Sequence, residues 1–151
     1  MPTPWTVVPA EASDIESWLD IVASVEPWFG PMPDFGHTLA RAVARAAAHC
    51  VRHDDAVVGG MLLSSPPAAK IDWLAVRASH RRSGVGTALV SHALTAFADA
   101  REVVVDTFGE DHPAGPPARR LYEGLGFRPD ASLQNRPEGG SRQRYRRIQA
   151  A

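Results

Sequence analysis

Cysteine is almost absent: Cys50 stands alone among 151 residues. It has no partner for an internal disulfide, which fits a reducing compartment and predicts a cytoplasmic protein. Charge of one sign is lacking as well, because 16 Lys and Arg against 17 Asp and Glu leave a net −1. That balance supplies no overall field to hold a polyanion, so nucleic acid is not an expected partner. No apolar run approaches the ~20 residues that span a bilayer. Residues 1–5 have neither the basic start nor the apolar stretch of a signal peptide, so no membrane association is expected. Metal-spaced Cys and His are missing too: His49 and His53 are four apart but straddle an expected helix–strand junction, and no metal is expected. Lysine occurs once, at Lys70, against a surplus of Ala, Arg, Pro and Gly that reads as a compositional bias rather than as chemistry.

What is present is ordinary for a globular chain: 44% hydrophobic and 22% charged residues. Domains run ~100–200 residues, so residues 1–151 are expected to form one domain. A chain of this length buries roughly two-thirds of its unfolded surface and needs no disulfide or metal to fold.

The periodicities alternate between strand and helix. Residues 5–8 form a short β-type run ended by Pro9. Asp14 marks a helix start, followed by Ile15, Trp18, Leu19, Ile21 and Val22 at helical spacing. Residues 28–36, rich in Pro and Gly, predict a structured loop. Residues 37–49 predict a second helix, with Leu39, Ala42, Val43 and Ala46 on one stripe. Residues 50–53 and 57–63 flank Asp54-Asp55 as a hairpin. Lys70–Val76 reads as a strand, and Val85, Leu89, Ala93 and Leu94, with Phe97, give the longest clean helical stripe. A strand over Glu102–Phe108, a helix over 118–125 closed by Gly126, and strands from Phe127 and over 143–148 complete the chain. The final strand reads as an edge strand with an arginine face. The order predicts an α/β fold: a mixed, mostly antiparallel central sheet flanked by helices.

The most informative segment joins Lys70–Val76 to the long helix through Arg81-Arg82-Ser83-Gly84-Val85-Gly86-Thr87. Glycines let the backbone turn tightly and approach a ligand, and a helix N-terminus offers unpartnered N–H groups and the positive end of the dipole to a phosphate. A P-loop requires a lysine after the second glycine, and the loop has none. A Rossmann fingerprint requires a third small residue where Leu89 stands and normally opens the first βαβ unit. An Arg three residues before the first glycine instead fits a pyrophosphate loop of the acyl-CoA type. The run Arg77, Arg81, Arg82 reads either as phosphate contacts or as a solvated face, and Arg81 either as a phosphate ligand or as a brace for the loop.

Leu74-Ala75-Val76 followed by Arg81-Arg82-Ser83-Gly84-Val85-Gly86-Thr87-Ala88-Leu89 resembles the acetyl-CoA motif of the GNAT superfamily of N-acetyltransferases. A second block, Ala118-Arg119-Arg120-Leu121-Tyr122-Glu123-Gly124-Leu125-Gly126-Phe127, is similar to the family's C-terminal motif, a tyrosine helix ending in Gly-Phe. The segment before it, residues 107–117, holds no asparagine where the family often has one.

The resemblance implies transfer of an acetyl group from acetyl-CoA to a primary amine of a small molecule or an amino terminus, by direct transfer in a ternary complex. It implies that Leu74, Ala75, Val76, Arg81, Arg82, Ser83, Gly84, Val85, Gly86 and Thr87 hold the acetyl-CoA, and that Tyr122 is the acid towards its sulfur. Related domains often pair, so a homodimer is an expectation as well. For the general base, Asp72 (placed by alternation on the face of Val76), His112, Glu110 and Asp111 all remain open, as do His37 and Asp34 in the N-terminal loop and a water relay. Trp28, Phe29, Asp34 and Phe35 read as an acceptor wall suited to a cationic amine, with His37 nearby. The competing class is an acyl-CoA sensor on the same fold without turnover.

Overall fold

The computed structural model describes residues 4–109, 112–133 and 142–149. Among them, β1 (Val8–Pro9), α1 (Ile15–Phe29), α2 (Phe35–Ala44), β2 (Ala48–His53), β3 (Ala56–Leu63), β4 (Lys70–Val76), α3 (Val85–Ala96), β5 (Glu102–Phe108), α4 (Gly115–Gly124), β6 (Arg128–Leu133) and β7 (Arg142–Ile148) follow in order. The strands form one sheet in the order β1-β2-β3-β4-β5-β7-β6. Only β4 and β5 run parallel; the other neighbours are antiparallel. This is the mixed, mostly antiparallel sheet expected.

Two apolar clusters cover its faces. Under α1 and α2, Trp18, Ile21, Val25, Leu39 and Phe35 pack on Cys50, Val57, Leu62 and Ala75. On the other face, Val85, Leu89 and Ala93 of α3 pack with Tyr122 of α4 on Val58, Met61, Ile71, Val103, Val105 and Tyr145. Gly59 and Gly60 on β3 make both approaches possible. A Cβ on Gly60 would lie 2.5 Å from the Trp18 ring, and one on Gly59 would lie 2.5 Å from Val85 Cγ1. Successive strand residues face opposite ways, so the glycine pair admits one helix on each side.

Four local expectations change. Helix α1 runs through Pro27 to Phe29, so the connector shrinks to residues 30–34 and α2 already starts at Phe35. A proline in the last turn removes one N–H and is tolerated there, and the stop falls at Gly30, whose φ is +85°. Helix α2 ends at Ala44, short of His49, because Ala46 turns left-handed (φ +59°) and Ala48 opens β2. Only Val8–Pro9 of the first β-type run pairs with the sheet. Strand β7 is an inner strand, between β5 and β6, not an edge. By contrast, the Asp54-Asp55 hairpin forms as read, with both residues left-handed (φ +53° and +65°) as a tight two-residue turn requires.

Where α3 crosses β2, the rings of His49 and His92 lie 4.7 Å apart, and His49 Nδ1 is buried without a hydrogen-bond partner. Burial lowers the pKa of both, and the charge of His92 lowers that of His49 further. The unfolded chain therefore takes up protons near the ordinary value of ~6.5 while the folded chain still resists them. Stability is complete above that value and falls as the pH drops through it towards the depressed folded values. Thermal unfolding between about pH 7.5 and pH 5.5 should show a falling midpoint, and His49→Leu should flatten the fall.

Candidate active site

Strands β4 and β5 pair only at Lys70 with Val104 and at Ile71 with Val105. Immediately beyond, β4 carries one extra residue: Leu62 and Leu63 of β3 face Trp73 and Ile71, leaving Asp72 as a bulge. A bulge bends the strand that carries it, and here β4 parts from β5. The gap opens onto a cavity of about 820 Å3. Leu74, Ala75 and Val76 line one side, and Phe108, Pro113, Ala114, Pro117, Ala118, Arg120 and Leu121 the other. Trp28 and Phe29, at the end of α1, reach it, and His80, Arg81, Arg82, Gly84, Gly86 and Thr87 close it at the glycine loop.

The glycine loop has an unusual backbone. Arg82 (φ +62°) and Gly84 (φ +93°) are left-handed, which curls the backbone ahead of α3. Among the described residues, no N–H from 82 to 87 donates to a backbone acceptor. Such a run of N–H groups at a helix start forms a concavity that binds phosphate. The loop is braced from outside. Trp5 Nε1 donates to the Ser83 carbonyl at 2.7 Å, and Ser83 Oγ donates to the His80 carbonyl. Arg81 Nε donates to the Val76 carbonyl at 3.2 Å, and its guanidinium sits 5.6 Å from the centre of the Trp28 ring. Arg77 turns away and donates to the carbonyls of Val57 and Ser17, so it straps β3 to α1 and takes no part in the loop.

The site residues read from the sequence divide accordingly. Leu74, Ala75, Val76, Arg81, Arg82, Gly84, Gly86, Thr87, Trp28 and Phe29 converge on the groove. The side chains of Ser83 and Val85 do not: Ser83 Oγ is engaged with His80, and Val85 is buried against Gly59. Phe35 is a core residue, 4.9 Å from Trp73, and not part of an acceptor wall. Asp34 is exposed before α2, and it does not line the groove. His37 is likewise exposed. Asp72, at its bulge, does not line the groove. Loss of water raises its pKa, and Lys70 and Arg45 pull against that rise. Glu110 and Asp111 lie outside the described residues.

Tyr122 does not line the groove: it lies in the core cluster, only 4% exposed, with its ring 5.5 Å from Phe127 and 6.2 Å from Tyr145. Burial pushes its phenol well above the ordinary tyrosine range, so it keeps its proton at neutral pH. His112 stacks on Phe108 at 4.3 Å, and its Nδ1 accepts the Ala114 N–H at 3.0 Å. With Nδ1 accepting, the neutral ring carries its proton on Nε2, and the lone pair a general base needs is in use.

Sequence reasoning missed Asp106. It is a half-buried residue of β5 whose side chain is 7% exposed, paired with Arg144 at 2.8 and 3.1 Å and with Lys70 at 2.9 Å. Burial raises its pKa, but those two partners outweigh burial and hold the carboxyl below the usual range. Strand alternation on β5 was the available signal, since it sets Asp106 opposite to Val103 and Val105.

The family described as Acetyltransferase (GNAT) family matches residues 15–127. Among solved structures, Ard1 from Thermoplasma volcanium superposes with a TM-score of 0.80 at 23% identity, over 97% of this chain and 99% of that one. The ribosomal-protein-S18-alanine N-acetyltransferase from Escherichia coli gives 0.73 at 16%, over 97% and 96%. A Salmonella typhimurium protein solved with its cofactor acetyl-CoA, yncA, gives 0.75 at 15%, over 95% and 93%. None of the curated proteins matches the chain.

The two loop glycines should respond differently to an added methyl. Gly84→Ala forces a side chain into a left-handed position and should cost about 1 kcal/mol or more. Gly86→Ala places a Cβ 3.2 Å from the mobile Leu121 Cδ2 and should be near neutral. Urea midpoints of the two variants measure the difference.

Proposed function

This chain belongs to the GNAT acetyltransferase family, and on that premise we propose that it moves an acetyl group from acetyl-CoA directly to a primary amine, with both bound at once. The observation that carries this reading is the parting of β4 from β5 into a groove that ends at the unpartnered N–H groups of the glycine loop. The residues fit the group. The N–H groups of 82–87 would hold the pyrophosphate, with Arg82 adding charge complementarity. The β4 backbone at Leu74 and Val76, unpaired towards β5, would offer N–H and C=O groups to the amides of the pantetheine arm. When bound, acetyl-CoA supplies the activated acetyl group.

The chain's own residues then manage protons and charge. Tyr122 holds a proton at its phenol oxygen and is the residue we assign to protonate the departing sulfur. A backbone N–H at the splayed end of β4 would stabilise the charge that develops on the carbonyl oxygen. Cys50 is no nucleophile for a covalent route. It is buried under α1 and α2, and burial, with Asp14 beside it, pushes its thiol up to about 11.

Two measurements test the reading. Acetyl-CoA or CoA at ~100 times its dissociation constant should stabilise the fold by about 2.7 kcal/mol, and NAD and ATP should not. A larger shift with NAD or ATP would overturn the loop assignment. Tyr122→Phe should slow the chemical step by about 100-fold or more while leaving CoA affinity unchanged. An unchanged rate at saturating substrates would remove Tyr122 from the mechanism, and CoA binding without turnover of any amine would mark a sensor instead.

A further inference from the structure

Trp5 stands ahead of β1 and does not line the groove, yet it meets the glycine loop directly. Its ring packs edge-on against the rings of His53 and His80, at 5.7 and 5.8 Å between centres, and those two rings lie 5.1 Å apart. The two imidazoles are also joined, His53 Nδ1 to His80 Nε2 at 3.0 Å. His53 ends β2 and His80 precedes the loop, so both segments build the seat of the indole. From that seat Nε1 donates to the Ser83 carbonyl at 2.7 Å.

The direction of this bond has a consequence at the next residue. A trans peptide unit is planar, so its C=O and N–H point opposite ways. The unit that offers the Ser83 carbonyl to Trp5 also carries the Gly84 N–H, which therefore points away from Trp5. Gly84 lines the groove, and among the described residues its N–H donates to no backbone acceptor. The same unit is easily turned over. Gly84 has φ +93° and ψ 3°. A half-turn of the peptide would take it to φ about −90° at the same ψ, the bridge region open to any residue. Glycine takes either sign of φ about equally well. Local sterics at Gly84 therefore do not choose between the two orientations, and the bond from Trp5 does.

We propose that Trp5 is a positioning residue for the pyrophosphate loop. Its indole N–H holds the Ser83–Gly84 peptide with the Gly84 N–H turned into the groove, where that N–H donates to a phosphate oxygen. The assignment rests on the acetyl-CoA reading of the groove. It ties a residue 78 positions away from Ser83 to ligand binding without any contact between that residue and the ligand.

The test is Trp5→Phe, which keeps an aromatic ring beside His53 and His80 and removes the donor. Calorimetric titration with CoA should show binding weakened by roughly fivefold to tenfold. NMR reads the peptide itself. A half-turn changes the separation of Ser83 Hα from the Gly84 amide proton, so the NOE between them should differ between the two proteins. A merely looser N-terminal segment would leave that NOE as it was. In the unaltered protein the Gly84 amide proton should move downfield when CoA binds, a reading that needs no variant. Unchanged CoA affinity in folded Trp5→Phe, the same NOE in both proteins, or a Gly84 amide that CoA leaves in place would each overturn the positioning role and leave the transferase reading standing. Failure of the unaltered protein to bind CoA sinks the transferase reading and this assignment with it.

Discussion

Every feature of the groove depends on β4 separating from β5 after two residue pairs. A parallel pair that stayed in register to Val76 would bury the backbone groups a ligand must reach. The extra residue at Asp72 bends β4 at the place where pairing stops. On its other edge β4 stays fastened to β3 as far as Val76, and β3 is pinned from both faces because Gly60 admits Trp18 and Gly59 admits Val85. The far wall is set by an equally close approach: a Cβ on Gly115 would lie 2.4 Å from the Gly109 carbonyl. The chain therefore folds back sharply after β5, and α4 starts against the opening, with prolines at its first turn. The gap is thus a product of tight packing on both sides of it, and the unpaired edge of β4 is left for water or a ligand to satisfy.

The sheet beyond β4 is held differently. Among the described residues, the apolar cluster under α1 and α2 takes buried residues from β2, β3 and β4 but none from β5, β6 or β7. On those strands the same face carries charge. Asp106 pairs with Lys70 and Arg144, and Arg146 pairs with Glu102 and Asp130. The arginine alternation of β7 is therefore largely answered within the sheet by acids on β5 and β6. Exposed pairs of this kind add little stability individually, but Asp106 is buried and its charge has to be met. This pairing also explains how an arginine-rich strand coexists with a net charge of −1.

Much of this architecture was legible because it is written in local patterns. Strands β4 and β5 fall on the residues that their apolar content marked, and the acidic hairpin turn and the glycine loop fall where their chemistry put them. What was not legible depends on tertiary partners. Pro27 reads as a helix breaker, yet α1 continues for two residues past it, because a proline in the last turn forfeits only one internal bond. The alternation of β7 fits an edge strand as well as an inner one, since neither position is decided by the strand's own sequence. The bulge at Asp72 leaves no mark in the spacing, so simple alternation sets that carboxylate on the face of Val76, and the extra residue breaks the alternation. Phe35 stands in an aromatic run that reads as a binding wall, but Trp73 on β4 draws it into the core.

Arg81 shows how a motif residue carries two readings until its contacts are known. A basic residue three positions before the first glycine suggests charge for a phosphate. Its geometry first ties three elements together, since the guanidinium bonds the Val76 carbonyl on β4 and lies over Trp28 at the end of α1. Trp5 ties the same loop from the opposite side through Ser83. The glycine loop is therefore fixed relative to β4 and relative to Trp28 on the wall of the groove. Amide groups held in place before a ligand arrives lose little freedom when it binds, and that rigidity raises affinity as effectively as another contact. The same bracing sets the position of Trp28, so the loop we assign to the pyrophosphate also fixes one wall of the groove.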